Sequence, residues 1–195
     1  MANSTTKTSI IDRALQILGM KGITSPQEVG SRGARSMLRT YDATLLSELT
    51  KNYWAFAIKR AELPASGTPP VHTKTNLFPL PGDFLMLAPQ DQYGEFNLAN
   101  DWIIEGNNIV SDESGPIYIR YVSSDITENQ YNPIFAEALS AALAIATGEE
   151  LTNSAGKVQR AMFIYDNQIS EARKNNSIIS QKPRTPVSSW ISARG

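Results

Sequence analysis

Hydrophobic residues recur at helical spacing in the first fifty residues of the chain. In residues 9–18 they lie on one helical face, Ser9 and Asp12 form a capping-box pattern, and Gly19 stands where a helix commonly ends. A second helix is predicted over residues 31–49. Its apolar stripe consists of Ala34, Leu38, Tyr41, Leu45 and Leu49. The chain therefore opens with two helices, which a glycine-rich loop over residues 20–33 connects.

The spacing of large side chains changes after residue 52. Trp54, Phe56 and Ile58 alternate along the chain, which predicts a strand, with a continued helix as the alternative. More than half of the prolines lie between residues 64 and 116, where long helices are therefore excluded. Strand candidates there are residues 77–81, 84–87 and 117–122, together with a hairpin over residues 102–110 that turns on Gly106-Asn107. The middle of the chain is predicted to consist of strands and loops.

Helical spacing returns near residue 132. Asn132 followed by Pro133 is a helix start, and residues 134–146 are apolar nearly all round, so this third helix must be covered on most sides. Gly148 is predicted to end it. A fourth helix is predicted over residues 154–175, with one narrow buried seam and a wide polar face. The seam consists of Val158, Met162, Tyr165, Ile169 and Ala172.

These elements predict an α+β fold. Its main part is an antiparallel bundle of four main helices formed by residues 1–52 and 131–180. A β-rich region, residues 53–130, is inserted between the second and third helices. Residues 181–195, with Pro183, Pro186 and Trp190, are predicted to form an extended C-terminal tail.

Charge is distributed unevenly along the 195 residues, although the formal net charge is only −1. Residues 1–60 carry a net charge of +5, residues 61–156 carry −11 and residues 157–195 carry +5. The middle region is therefore expected to present an acidic surface between two basic ends. The basic residues lack the interleaved aromatic residues typical of nucleic-acid binding, which makes DNA binding as the main activity a distant alternative.

Composition excludes several other classes of protein. Hydrophobic residues make up 41% and charged residues 19%, which rules out disorder of the whole chain. No apolar run approaches the ~20 residues of a membrane span, so none is predicted. The absence of cysteine excludes disulfides, thiolate metal sites and thiol nucleophiles.

Patterns that would indicate an enzyme are not found in the sequence. His72 is the only histidine, no nucleophile elbow or phosphate-binding loop is present, and no metal-binding pattern occurs. We therefore expect no catalytic activity, no cofactor and no bound metal ion. One enzymatic alternative is a glycan hydrolase, because glycan hydrolysis needs only two carboxylates. The carboxylates available in the acidic middle are Asp91, Glu95, Asp101 and Glu105.

The order of several motifs is similar to that of a known family. Two N-terminal helices precede Tyr53-Trp54-Ala55-Phe56-Ala57-Ile58-Lys59 and then Phe78-Pro79-Leu80-Pro81-Gly82-Asp83. Next come Tyr118-Ile119-Arg120-Tyr121-Val122, Phe135-Ala136-Glu137-Ala138-Leu139 and a long helix through Glu171-Ala172-Arg173. The order of these motifs resembles that of the tail tubular protein A family of short-tailed bacteriophages. The resemblance covers roughly residues 5–178.

This resemblance implies a structural role. Members of the family are adaptors between the portal protein and the tail nozzle, which is formed by a tail tubular protein B-like partner. The resemblance implies a ring of twelve copies that supports tail fibres or tailspikes, with double-stranded DNA passing through its centre without specific binding. It also implies a place in the virion tail, after assembly in the bacterial host cytoplasm. The family supplies no catalytic motif to transfer. In the same setting, the glycan hydrolase alternative would be a glycan-degrading tail accessory protein that acts on peptidoglycan or capsule.

Two groups of residues are predicted to serve such a ring. Acidic residues that face a DNA channel would repel phosphates and prevent tight binding. The candidates for this lining are Asp91, Glu95, Asp101 and Glu105. The tail is expected to contact a neighbour, with Trp190 as its anchor. The predicted contact residues of the tail are Arg184, Pro186, Trp190 and Arg194.

Overall fold

The computed structural model of the chain describes residues 5–24, 31–71, 74–89 and 101–180. In these residues the fold is mixed α+β, with four α-helices and two small antiparallel sheets. The helices are α1 (Lys7–Ile17), α2 (Arg32–Thr50), α3 (Pro133–Thr152) and α4 (Ala155–Ser180). The strands are β1 (Ile58–Leu63), β2 (Asn76–Pro79), β3 (Phe84–Leu87), β4 (Trp102–Glu105), β5 (Asn108–Ser111) and β6 (Ile117–Ser123). Among these helices, none combines the length and the apolar character needed to cross a membrane.

The first helix, α1, begins two residues earlier than predicted. Thr6 is its N-cap, and the side chains of Thr6 and Ser9 each accept a hydrogen bond from the other's backbone N–H. The predicted capping box of Ser9 and Asp12 is therefore wrong, because Asp12 instead accepts a hydrogen bond from the Ile23 N–H at 2.7 Å. Gly19 ends the helix as predicted, with φ +63°, a conformation that glycine adopts without strain.

The third helix, α3, packs against each of the other three helices. Asn132 caps it by accepting a hydrogen bond from the Ile134 N–H at 2.9 Å, and Pro133 occupies its first turn, as predicted. Its buried residues lie on most of its circumference, which confirms that this apolar helix is covered on most sides. The large core built around α3 also contains Trp54, Tyr41 and residues of α1, α2 and α4.

The prediction that Gly148 ends α3 is wrong. The helix continues to Thr152 and ends at Asn153, which adopts the left-handed conformation with φ 47°. Gly148 is buried where α3 meets its neighbours, and a Cβ there would lie 2.9 Å from Val158 Cγ2 and 3.2 Å from Leu18 Cδ2. The glycine is therefore explained by close helix packing and not by helix termination.

The first sheet has the strand order β1-β6-β3, with β6 at its centre. Strand β1 pairs with β6 from Ile58↔Val122 to Leu63↔Ile117. The prediction of a strand from Trp54 is wrong for its first half, because Ala55–Ala57 form a 3-10 turn and β1 begins only at Ile58. The physical reason is that Trp54 is buried, with its indole N–H donating to the Glu48 carbonyl at 3.0 Å, which holds this segment against the end of α2.

The second sheet has the strand order β2-β5-β4. Strands β4 and β5 form the predicted hairpin, with Gly106 at φ +57° in the two-residue turn. A smaller apolar core joins the two sheets around Phe78, Ile109 and alternate residues of β6. Val122, on the other face of β6, belongs to the large core of the helices. Strand β6 therefore contributes to both cores.

The last helix, α4, differs from its prediction in length and in its buried stripe. It extends to Ser180, and Met162, predicted to lie in the seam, is 46% exposed. Ala161 is fully buried in its place. The stripe also continues one turn further, to the buried Asn176.

Candidate functional site

An apolar groove lies between the Ala55–Ala57 turn and the C-terminal third of α4. Its volume is about 380 Å³. Its apolar lining residues are Trp54, Ala55, Phe56, Ala172 and Ile179. The polar residues on its lining are uncharged amides, and none of its described lining residues carries a charge. Such a groove is suited to an apolar side chain and offers no partner for a charged one.

A cluster of aromatic rings packs beneath the groove and forms its floor. The Phe135 ring lies 4.9 Å from that of Trp54, 5.0 Å from that of Phe56 and 5.5 Å from that of Tyr131, measured between centroids. Phe135 and Trp54 are almost fully buried. Tilted and edge-to-face aromatic pairs of this kind are favourable and directional. The floor of the groove is therefore rigid.

Side-chain amides hold the two walls of the groove together. Asn176, on α4, accepts a hydrogen bond from the Ala55 N–H at 2.8 Å and donates one to the Tyr53 carbonyl at 2.9 Å. Asn132 donates to the Asn175 side-chain oxygen at 2.8 Å. Asn176 was not predicted from the sequence, although its position four residues after Ala172 continues the helical stripe and indicates a buried residue.

Helix α4 also exposes large apolar side chains. Phe163 is 69% exposed, and Ile178 and Ile179 are exposed to a similar extent near the end of the helix. With 26 residues, α4 is about 39 Å long at 1.5 Å per residue. Single exposed apolar residues are ordinary, but the adjacent Met162 and Phe163 on this helix form a small patch suited to contact with protein.

The structure does not bring the predicted acidic residues together. Asp91 and Glu95 lie outside the described residues. Asp101 and Glu105 lie at opposite ends of β4, about 13 Å apart along the strand at ~3.3 Å per residue. Asp101 forms an ion pair with Lys74, while Glu105 is exposed beside the hairpin turn. Within the described part of the acidic middle, these two carboxylates therefore act separately.

Lys74 joins two parts of the second sheet region. Its ammonium group binds Asp101 and also Asp112, the latter at 2.9 Å. Hydrogen bonds to Asp101 and Asp112 raise the pKa of Lys74, and the hydrogen bond from Lys74 lowers the pKa of Asp112. Asp101 is thus partly neutralised.

A second charged cluster surrounds Asp83, at the turn between β2 and β3. Its carboxylate accepts hydrogen bonds from Ser123 Oγ at 2.6 Å, Tyr121 OH at 3.0 Å and Lys59 Nζ at 3.0 Å. Burial by itself raises the pKa of Asp83, but the hydrogen bonds from Ser123, Lys59 and Tyr121 outweigh it and lower the pKa to about 2. Lys59 also binds Asp125 at 2.9 Å. This cluster was not predicted from the sequence, in which its only local signal is the Pro81-Gly82-Asp83 turn.

A third polar cluster fastens α2 to α4. The carboxylate of Glu48 is almost fully buried and accepts hydrogen bonds from Lys51 Nζ at 2.6 Å and Tyr165 OH at 2.8 Å. Burial lowers the pKa of Lys51, but its hydrogen bonds to Glu48 and Tyr165 more than offset this and raise it. Because every member has a partner, the cluster positions helices and offers no free group for chemistry.

Several residues from the sequence analysis lie outside the described residues. They are His72 and the predicted tail contacts Arg184, Pro186, Trp190 and Arg194. In residues 5–24, 31–71, 74–89 and 101–180, no group of three or more His, Cys, Asp or Glu side chains could hold a metal ion. No protein-family model and no curated protein matches the chain. Its function is therefore argued from its own residues and from the resemblance in motif order.

Proposed function

We propose that this protein is a structural component of a bacteriophage tail. It forms a ring of twelve copies that joins the portal protein to a tail tubular protein B-like nozzle and supports a tail fibre or tailspike. Double-stranded DNA passes through the ring during ejection, and the protein is not an enzyme. It resides in the virion tail after assembly in the bacterial host cytoplasm. The support from sequence is the motif order shared with the tail tubular protein A family.

The proposed architecture is an antiparallel four-helix bundle, residues 1–52 and 131–180, with residues 53–130 inserted as a β-rich region. Two observations support it. The described strands all lie between α2 and α3 in the chain, and α3 packs against α1, α2 and α4. In a ring, such a bundle meets the portal, while the β-rich region meets the nozzle.

The observation that carries the proposal is the exposed apolar surface of α4. Each subunit of a closed ring must present two different lateral faces to its neighbours. Phe163 is 69% exposed and Met162 beside it is 46% exposed, on a helix about 39 Å long at 1.5 Å per residue. Burial of these side chains against a neighbouring copy would remove apolar surface from water and stabilise the ring.

The acidic middle of the chain is proposed to face the DNA channel. Glu105 is exposed at the β4–β5 turn, and Asp91 and Glu95 are its proposed companions. Asp101 contributes less to the repulsion of phosphates, because Lys74 neutralises it in part. The separation of Asp101 from Glu105, about 13 Å at ~3.3 Å per residue, exceeds the ~6.5–9.5 Å of carboxylate pairs in inverting glycosidases, so this pair does not support the glycan-degrading alternative.

The experiment that tests the proposal is electron microscopy of the purified protein mixed with its portal ring. We expect a collar on the portal with wild-type protein and loss of the collar with Phe163→Glu, which places a charge in the lateral contact. The matched control is Val71→Glu, which makes the same kind of change at a fully exposed position outside α4. The control should assemble like wild type.

Three outcomes would contradict the proposal. One is the absence of any collar with the wild-type protein, and another is equal assembly by Phe163→Glu and wild type. The third is turnover of peptidoglycan or capsule by the purified protein that is lost when one carboxylate, such as Glu105, is replaced by glutamine. That last result would favour the glycan-degrading alternative.

A further inference from the structure

We infer that the apolar groove between the Ala55–Ala57 turn and α4 binds the C-terminal segment of the same chain, with the Trp190 side chain seated in it. This inference concerns the free protein and does not depend on the ring. It assigns an occupant to the groove. In the free protein, before any partner is bound, Trp190, the predicted anchor of the tail, would then be buried in this groove.

The chemistry of the groove selects an aromatic anchor. The groove holds about 380 Å³ and its described lining residues are apolar or uncharged. Residues 181–195 contain three basic residues, no acidic residue and one aromatic residue, Trp190. The basic side chains would lose hydration without gaining a partner in the groove, whereas an indole ring gains apolar burial and a ring contact with the half-buried Phe56.

The position of the groove suits a segment of this length. Ile179, on the groove lining, is adjacent to Ser180, where α4 ends, and Trp190 follows ten residues later. Ten residues can span at most ~33–36 Å, whereas Ala172 and Ile179, which line the groove, are about 10 Å apart along α4. The chain after Ser180 can therefore turn back and place Trp190 in the groove with length to spare.

Linkage within one chain favours this occupant over a second copy. A short flexible connection gives an effective concentration in the millimolar range, so at micromolar protein the intramolecular contact is favoured about a thousandfold over the same contact between chains. The groove and its anchor would then be covered together in the free protein. Assembly on a partner would have to exchange this contact for another.

The test is disulfide trapping in the full-length chain, which is possible because the natural sequence has no cysteine. The reporter variant combines Ala55→Cys, on the groove, with Ser189→Cys, beside Trp190. The matched control combines Lys174→Cys with Ser189→Cys, because Lys174 is exposed on α4 and faces away from the groove residues Ala172 and Asn176. Each variant is oxidised with oxidised glutathione at micromolar concentration, and the products are followed by non-reducing gels and intact mass.

The inference predicts a monomer with an internal disulfide that forms at least about tenfold faster in the reporter than in the control, given millimolar effective concentration at a docked site. Trp190→Ala in the reporter background should reduce the rate to that of the control. A second reporter, Gln130→Cys with Ser189→Cys, should also form its disulfide faster than the control. Agreement between the two reporters would show that the faster rate is not caused by the Ala55 substitution itself.

Three results would overturn the inference. They are equal rates in both reporters and the control, a rate in the reporter that does not depend on Trp190, and a covalent dimer as the main product at low protein concentration. The last would assign the groove to a second copy. None of these results bears on whether the protein forms a collar on a portal, so the two proposals can fail separately.

Discussion

The helical part and the strand part of this molecule are stabilised in different ways. The four helices share one large apolar core, in which α3 contacts all three other helices. The two sheets share a smaller core and add charged clusters around Asp83 and Lys74. Strands of four residues bury few side chains each, so ion pairs and hydrogen bonds contribute a larger share of their stability. We therefore expect acid to lower the stability of the strand part before that of the helical part.

The largest expected effect comes from removing an aromatic ring in each core. Phe135→Ala and Phe78→Ala both truncate a fully buried ring, which typically costs ~3–5 kcal/mol of the free energy of unfolding. We expect Phe135→Ala to be the more destabilising, because Phe135 contacts three other rings and such pairs add ~0.5–1.5 kcal/mol each. Denaturant unfolding of both variants measures the difference.

The control for these variants is Phe163→Ala, at an exposed position on α4, which should change stability by no more than ~0.5 kcal/mol. If Phe78→Ala proved as costly as Phe135→Ala, the two cores would be equivalent and the comparison would fail.

The next effect concerns the contact between α3 and α4. Gly148→Ala should destabilise the protein by ~1–3 kcal/mol, because the added Cβ would lie 2.9 Å from Val158 Cγ2 in a packed interface. Gly156→Ala, at an exposed glycine of α4 with open space around it, should instead stabilise by up to ~1 kcal/mol. Thermal unfolding of the pair checks both signs. Destabilisation by both substitutions would show that glycine is needed for another reason than packing.

A smaller effect, specific to the strand part, should appear in acid. The pKa of Asp83 is lowered from 3.8 to about 2 in the folded protein, so its contribution is present above pH ~4 and is lost as the pH falls towards 2. Since the carboxylate is partly exposed, we expect this contribution to be about 1–2 kcal/mol, less than the full shift implies. Asp83→Asn should remove it at pH 7 and show a flatter stability profile between pH 4 and 2.

The matched control for Asp83 is Asp125→Asn, which removes the other partner of Lys59. The Asp125 carboxylate is 80% exposed, so this variant should retain the acid dependence of the wild-type protein. Identical pH profiles for wild type and Asp83→Asn would remove Asp83 as the source of acid sensitivity.

The smallest effect concerns the polar cluster of Glu48, Lys51 and Tyr165, which joins α2 to α4. Tyr165→Phe removes the hydroxyl that donates to Glu48 and accepts from Lys51, and should cost about 1 kcal/mol because the Glu48–Lys51 pair persists. Tyr53→Phe, at a residue that is 43% exposed, is the control and should change little. Chemical denaturation at neutral pH measures both. A larger loss with Tyr165→Phe than with Asp83→Asn would show that the helical part depends on polar contacts as much as the strand part.

Several features that depend on neighbouring residues were predicted correctly from the sequence, although the N-cap of α1 is Thr6 and not Ser9. The β4–β5 hairpin forms because Gly106 and Asn107 suit a two-residue turn between strands that are adjacent in the chain. The start of α3 follows from Asn132 and Pro133, and the end of α1 from Gly19, since each is a property of a few consecutive residues.

Features that depend on distant residues were predicted poorly. Gly148 was interpreted as a helix end because nothing local shows that Leu18 and Val158 pack against it. Asp83 was overlooked because its partners Lys59 and Ser123 lie 24 and 40 residues away in the chain. The groove was missed for the same reason, since its walls come from the Ala55–Ala57 turn and from α4.

The order of helices and strands was thus determined by the sequence alone, through side-chain periodicity, capping residues and turn residues. Only the tertiary structure decided which strand pairs with β6, which glycine lies in an interface and which carboxylate binds a lysine. The physical reason is that backbone preferences act over a few residues, whereas packing and ion pairing join segments whose separation in the chain carries no signal of their contact.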